Sequence, residues 1–495
     1  MVTEQGSSRH HHDHGLCSNH TVCRVSQLTD RESINNRHRG WQQSTINGSS
    51  LLNWEGELNL NHDKHQLLIG FINAAPWLSG SLIGTWLSDP LQDHFGRRPA
   101  LFIAAIFCVV LVIASIAPIF AAEAAPDKHR GQVLMLWQLF DTLGIFLGFV
   151  SALIVMDSWR VLLATATIPA IMLLFLVFLC PESPRYLIQK NKYADAYKSL
   201  LELRGTPVQA ARDLYYIHSQ LQTEAITKWD PPHSSEESFS WQRGDGYAYQ
   251  QWIKRVNFFK RMRYLATDDR TRRACVVAFI VMASQQLCGI NALTFYSSSL
   301  FTKDAFLNSK TVIKWYNFTN FLFTLPVLGF IDSRGRRPLL LVSFTGMLFS
   351  LIAISGFFKI ADESTRGILI GVFSIVFFLF FYSVGAGPIP FTLSAEVFPL
   401  CVREVGMSFS VMVNFLGLGI LVLFVPQLTS AFNGQANLLF FFSGLNLLGL
   451  VLIFLLVPET RQTKLEAMNS ICKWLLVKLF KTWLFTRLRT NIFDS

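Results

Sequence analysis

Ten apolar stretches run along the chain, near 66–87, 99–120, 132–156, 160–180, 274–301, 312–331, 338–359, 367–390, 404–428 and 436–457. Each is close to the roughly 20 residues that a helix needs to cross a bilayer. They predict an all-α membrane protein. A polar segment, 181–273, separates the first four stretches from the last six. It carries 16 Lys and Arg, among them Lys254, Arg255, Lys260, Arg261, Arg263, Arg270, Arg272 and Arg273. Basic loops stay on the cytoplasmic side, so this segment is expected inside the cell, with short helices of its own. The predicted organisation is a polar, disordered N-terminus at 1–39, a first membrane half at 40–180, the central loop at 181–273, a second membrane half at 274–460 and a cytoplasmic tail at 461–495. Within the tail, Trp474, Leu475, Leu479 and Trp483 alternate with Lys473, Lys478, Lys481, Arg487 and Arg489. That pattern suits a basic helix lying in the membrane interface.

Composition agrees. Only 15% of residues are charged and 51% are hydrophobic, whereas soluble domains run nearer a quarter charged. The formal net charge of +10 sits in loops between apolar runs, which argues for membrane anchoring and against nucleic acid. The eight cysteines are scattered, with Cys108, Cys180, Cys275 and Cys288 in or beside apolar runs, and no pair has metal-ligand spacing. His10, His11, His12, His14, Cys17, His20 and Cys23 cluster near the start, but inside a polar tail rather than a packed element. The first forty residues hold no apolar core of a signal peptide. No metal and no cofactor is expected. No paired carboxylates, Ser-His pair or phosphate-cradling loop suggests an enzyme.

The two halves repeat one another. Asp93-His-Phe-Gly96-Arg97-Arg98 recurs as Asp332-Ser-Arg-Gly335-Arg336-Arg337. Glu123 and Arg130 are spaced like Glu396 and Arg403, and Pro181-Glu182-Ser183 recurs as Pro458-Glu459-Thr460. Three paired motifs in one order mark parallel repeats related by an axis along the membrane normal. Gly96 and Gly335 permit tight turns. The arginines and carboxylates are expected to form a cytoplasmic gate that holds while the protein faces outward; plain positive-inside anchoring is the bland alternative.

These motifs, together with Gln285-Gln286-Leu-Cys-Gly289-Ile-Asn291, Phe295-Tyr296, Gly387-Pro388-Ile-Pro390-Phe391, Ala395-Glu396 and Pro458-Glu459-Thr460-Arg461, resemble the sugar porter family of the major facilitator superfamily. Gly70-Phe-Ile-Asn-Ala-Ala-Pro and Ala211-Arg-Asp-Leu-Tyr-Tyr-Ile-His are similar to its fungal sugar and inositol branch. The resemblance spans roughly 40–470. It implies two pseudo-symmetric helical halves and a secondary carrier of a hexose or polyol working by alternating access. A monomer in the plasma membrane is implied, with protons as the candidate coupling ion. It assigns substrate binding to Gln138, Gln285, Gln286, Asn291, Asn320, Phe391 and Asn414. Amides both donate and accept, which suits hydroxyl-rich ligands, and an aromatic face stacks on a sugar ring. For any one amide in a span, an interhelical hydrogen bond is the competing explanation.

The chain departs from the family's twelve helices. Gly40-Trp41-Gln42 resembles the outer end of the first helix, but polar residues precede it, and Gln42 stands where proton-coupled members carry Asp. The fourth helix, with its arginine-bearing stretch, is also missing. Topology gives the same answer: Arg97 and Arg98 precede segment 99–125, Lys128 and Arg130 follow it, and all belong inside. Twenty-seven residues cannot cross twice, which needs about 40. Either the segment is re-entrant or a helix has been lost, and loss is the preferred reading. Asp141 lies mid-span, one turn after Gln138. Charges there are costly and usually functional, which makes Asp141 a candidate proton site or polyol ligand; facing a water-filled cavity is the plain alternative. The alternative to a carrier is a transport-incompetent truncated relative or a sensor-like membrane protein. Asn19-His-Thr21 and Asn47-Gly-Ser49 are glycosylation sequons that matter only with the N-terminus outside.

Overall fold

Gly96 sets the first break between helices of the first half, whereas Pro90 and Pro118 lie inside helices. The computed structural model describes residues 71–228, 258–293 and 318–460, apart from 72–73, 76, 107–109, 126–129, 155–164, 166, 292, 361, 400–401 and 433. The N-terminal tail with its His/Cys cluster, Gly40-Trp41-Gln42, both sequons, Phe295-Tyr296 and the tail helix lie outside the described residues. A π turn at Gly80–Gly84 leads into α1, Thr85–Phe95. Its hydroxyls turn back onto their own helix, Thr85 Oγ1 to the Ser81 carbonyl at 2.6 Å and Ser88 Oγ to the Thr85 carbonyl at 2.7 Å. Gly96, at φ +99°, ends α1 and starts α2, Arg97–Ile106. Next come α3, Val110–Ala124, α4, Arg130–Ile154, and α5, Thr167–Leu179.

The stretch expected as one span, 99–120, is two helices. At 1.5 Å per residue, α2 and α3 reach about 15 and 22 Å, short of the ~30 Å hydrocarbon core. They pack on one another, and Arg97 at the start of α2 lies 3.2 Å from Glu123 at the end of α3. The segment therefore leaves one face and returns to it. A single crossing of 99–125 is thereby excluded, as the basic clusters on either side of it require.

The central loop contributes α6, Pro184–Gln189, α7, Tyr193–Arg204, α8, Pro207–Lys228, and α9, Phe258–Thr267. Ser183 caps α6 and Gly205, at φ 71°, closes α7. Asp268 accepts from the Thr271 amide at 3.0 Å and starts α10, Asp269–Leu287. Such caps stabilise a helix by about 1 kcal/mol.

The second half continues with α11, Val327–Arg334, α12, Arg336–Phe357, and α13, Glu363–Val372. Past α13 the helix runs through π turns at Phe373–Phe378 and Tyr382–Ala386, separated by α14, Leu379–Phe381, to α15, Ile389–Val397. It ends with α16, Arg403–Ala431, and α17, Gln435–Leu456. No strand occurs among the described residues. Five helical stretches there are long and apolar enough to cross a membrane: Gly131–Gly148, Arg336–Phe357, Thr365–Val397, Arg403–Val425 and Ala436–Leu456. Ser115–Ala124, Thr167–Leu179 and Phe318–Ile331 are apolar but shorter.

The main core lies in the second half, where α12 packs along α17 and Phe344, Met347, Leu351 and Phe442 are fully buried. Large apolar side chains such as Phe140, Phe175, Phe349 and Phe440 point outward, as lipid-facing positions do. Close packing explains Gly346: a Cβ there would lie 2.1 Å from the Phe381 ring. Gly346→Ala is expected to destabilise by about 1–3 kcal/mol, read as a lower apparent Tm in detergent.

Candidate functional site

The repeated motifs build the same structure twice at one end of the molecule. In the first half, Glu182 accepts from the Arg97 amide at 3.1 Å and the Arg98 amide at 3.2 Å. In the second, Glu459 accepts from the amides of Arg336 and Arg337, both at 3.0 Å. The outer arginine of each pair turns away to a carbonyl, Arg98 to Phe178 at 2.5 Å and Arg337 to Phe454 at 2.6 Å. The inner arginine of each pair meets a buried carboxylate: Arg97 Nη2 is 3.2 Å from Glu123, and Arg336 Nη2 is 2.9 Å from Glu396. Ser183 donates to Glu123 at 2.5 Å and Thr460 donates to Glu396 at 2.8 Å. The glycines are required by these caps. At Gly335, φ +94°, a Cβ would sit 2.7 Å from Glu459 Oε2; at Gly96 it would sit 2.9 Å from Glu182 Oε2.

The repeat breaks in one place. Arg97 also pairs with Glu404, across the divide between the halves. The halves touch there along α1 and α16: Ser88 and Ser408 share a hydrogen bond of 2.8 Å, and Trp77 stacks on Phe415 at 5.5 Å. That end of the molecule is closed. Asp93, expected in the cytoplasmic gate, pairs with Lys190 and with Arg261 of α9, each at 3.2 Å. Burial alone would raise the Asp93 carboxyl; Arg261 and Lys190 more than offset it and hold it below the ordinary range. Burial raises Glu182 despite the amides that it accepts. Arg403, the counterpart of Arg130 in the repeat, donates from its Nη2 to the Phe398 carbonyl at 3.3 Å. The side chains of Arg130 and Asp332 lie outside what the structure describes.

The amides meet deeper in the molecule. Gln285 and Gln286 end α10, and both are buried. Gln286 Nε2 donates to Asn414 Oδ1 at 2.9 Å, Asn414 Nδ2 donates to Gln285 Oε1 at 2.5 Å, and Asn291 Nδ2 donates to Gln286 Oε1. Gln285 Nε2 donates to the Gly387 carbonyl at 3.0 Å. Gln138, from α4 of the first half, lies against the same glycine, its Cδ 3.5 Å from where a Cβ would stand. Asn320 accepts from Ser383 at 3.0 Å, four residues before Gly387. Phe391 follows Gly387 by four residues and meets the Trp137 ring at 5.9 Å, next to Gln138. All seven residues assigned to substrate binding thus surround one interior region shared by the halves. Asn291 is fully buried, and among the described residues its Oδ1 accepts nothing. An orphaned acceptor of that kind is costly unless a donor arrives. Asp141 is exposed, three positions beyond buried Gln138 on α4.

Sequence reading missed Glu404, Asp89, Arg261, Ser183 and Thr460. Glu404 directly follows Arg403 of the repeat, and Ser183 and Thr460 end the two Pro-Glu-Ser/Thr motifs, so the signal was present there. Arg261 was one of many basic residues, and nothing local marks it.

Comparison with known proteins gives the same picture. The profile of the "Sugar (and other) transporter" family matches residues 110–472. The galactose-proton symporter of Escherichia coli K12 is 28% identical over 420 residues, covering 78% of this chain and 82% of that protein. Polyol transporter 5 of Arabidopsis thaliana is 27% identical over 456 residues, covering 84% and 80%. Among solved structures, the proton:xylose symporter XylE bound to 6-bromo-6-deoxy-D-glucose superposes with a TM-score of 0.67 at 20% identity, covering 90% of this chain and 98% of that one. These findings place the chain in the sugar transporter family of the major facilitator superfamily, as a multi-pass membrane protein with that fold.

Proposed function

We propose that the protein is a secondary carrier of a hexose or polyol in the plasma membrane, with protons as the coupling ion, working by alternating access. The observation that carries this is the convergence of Gln138 from one half with Gln285, Gln286, Asn291, Asn320 and Asn414 from the other, with Asn291 Oδ1 left as an acceptor for a ligand hydroxyl. Relatives named for galactose-proton symport and polyol transport support the substrate class. The hairpin of α2 and α3 takes the place of two family helices on this reading. That shortening also favours a second reading, a relative that no longer transports. Uptake of labelled inositol and glucose into transporter-deficient yeast separates the two. Saturable uptake of one of them is expected; no saturable uptake of any sugar or polyol despite surface expression rejects the carrier.

Asp141 is the carboxylate of α4, the helix that also carries Gln138, and is assigned the coupling proton. Asp141→Asn is expected to flatten the pH dependence of uptake while leaving saturable binding in place. An unchanged pH profile removes that role.

A further inference from the structure

Two carboxylates from opposite halves meet at one arginine beside the closed end. Asp89 lies on α1, just past the first apolar stretch, and Glu404 lies in the first turn of α16. Arg261 of α9 belongs to neither half. Its Nη2 is 2.9 Å from Asp89 Oδ2 and 3.2 Å from Asp93 Oδ2, and its Nη1 is 3.8 Å from Glu404 Oε2. Asp89, Asp93, Glu123 and Glu404 cluster around Arg97 and Arg261, with Lys190 at the edge on Asp93 and Arg185 toward Glu123. Glu182, the Tyr186 hydroxyl, Arg98 and Arg403 also lie on that side, and the π turn above α1 carries no ionisable group.

Asp89 is fully buried, and among the described residues its Oδ1 has no hydrogen-bond partner. An unpaired buried carboxylate oxygen is among the most costly polar groups. A proton on it removes the charge and supplies a donor, and Glu404 is the neighbouring carboxylate that can accept. We propose that Asp89 and Glu404 together bind one proton, which ties the two halves at the cytoplasmic face and whose loss to the cytoplasm lets that face open.

The electrostatics run the same way. Burial raises the Asp89 carboxyl well above its ordinary value, and Glu404 adds to the rise, against the pull of Arg261. Opening the face returns Asp89 to water and to the ordinary carboxylate range. The closed face therefore holds the proton more tightly. Low pH favours closure, and that preference fades as pH rises from the ordinary carboxylate range through the raised value. The proposal rests on the carrier reading only in making the opening a transport step, and it is tested on the gate itself.

Ser408 lies behind the gate, bonded to Ser88 and fully buried. In membranes holding the Ser408→Cys chain, N-ethylmaleimide adducts at 408 are quantified by mass spectrometry against those at Cys180, which is exposed and corrects for thiol ionisation. Between pH 5 and 8 the 408/180 ratio is expected to rise about tenfold, which is about 1.4 kcal/mol in the closing equilibrium. With Asp89→Asn added, a neutral side chain of the same shape, the ratio is expected to stay low and flat. Glu404→Gln is expected to remove the slope as well, and Asp93→Asn to keep it. A flat ratio in the Ser408→Cys chain, or a slope that survives both Asp89→Asn and Glu404→Gln, overturns the proposal. A chain that shows the slope but carries no sugar would remove the carrier reading and leave the proton site standing.

Discussion

Gln286→Ala is expected to abolish saturable uptake at millimolar sugar, by raising KM at least a hundredfold. Gln286 is buried, and both ends of its amide are used, the nitrogen toward Asn414 and the oxygen from Asn291. Truncation strands one acceptor on Asn414 and one donor on Asn291 in a dry interior. Each costs about 1–3 kcal/mol, and every 1.4 kcal/mol is tenfold in affinity. The amides that should greet ligand hydroxyls would instead seek one another. Gln286→Asn keeps the chemistry but shortens the reach, so an intermediate KM is expected. Quenching of Trp137, which lies beside Phe391, gives a binding readout that does not require turnover. A KM within threefold of the parent for Gln286→Ala would place the binding site elsewhere.

Arg97→Ala and Arg336→Ala should differ in kind, although the two residues occupy equivalent places in the repeat. Both guanidinium groups are almost fully buried, so removing either leaves a carboxylate uncompensated, at a cost of about 3–5 kcal/mol. Both variants should lower the apparent Tm. Arg336 holds Glu396 within its own half, whereas Arg97 holds Glu123 in its own half and Glu404 in the other. Only Arg97→Ala is therefore expected to raise thiol labelling at Ser408→Cys, at fixed pH, toward the level of an open inner face. Arg97→Lys should not restore closure, because a point charge cannot fork between two carboxylates. Equal labelling in Arg97→Ala and Arg336→Ala would mean that the cross-half pair does not hold the gate.

The sequence carried much of this. Hydropathy alone marks the membrane class, because spans must be apolar over their whole length. The duplicated Gly-Arg-Arg and Pro-Glu-Ser/Thr motifs mark the gate because a glycine that turns and a glutamate that caps it leave the same letters wherever they occur. The amides were legible through the family resemblance, and their mutual hydrogen bonds follow from being few, polar and buried. What was not legible is long-range and geometric. The run 99–120 reads as one span because hydropathy has no sign for a reversal; the flanking Arg97, Arg98, Lys128 and Arg130 argue against one crossing, and the meeting of Arg97 and Glu123 shows the return. Arg261 looks like its basic neighbours in the loop, and its place between Asp89, Asp93 and Glu404 depends on how α9 is laid against the halves. Asp93 was grouped with the turn it precedes, yet it faces that loop instead.

The capped turns have a mechanical consequence. Each half closes its own ring of glutamate, arginine and buried carboxylate at the inner end, and none of those bonds crosses the divide. A rotation of one half against the other leaves both rings intact and breaks the contacts that cross the divide at that end, Arg97 with Glu404, Ser88 with Ser408, Trp77 with Phe415 and the grip of Arg261. Each half then moves as a rigid lever, and the energetic difference between the two ends of the stroke resides in a handful of contacts that single substitutions can tune one at a time.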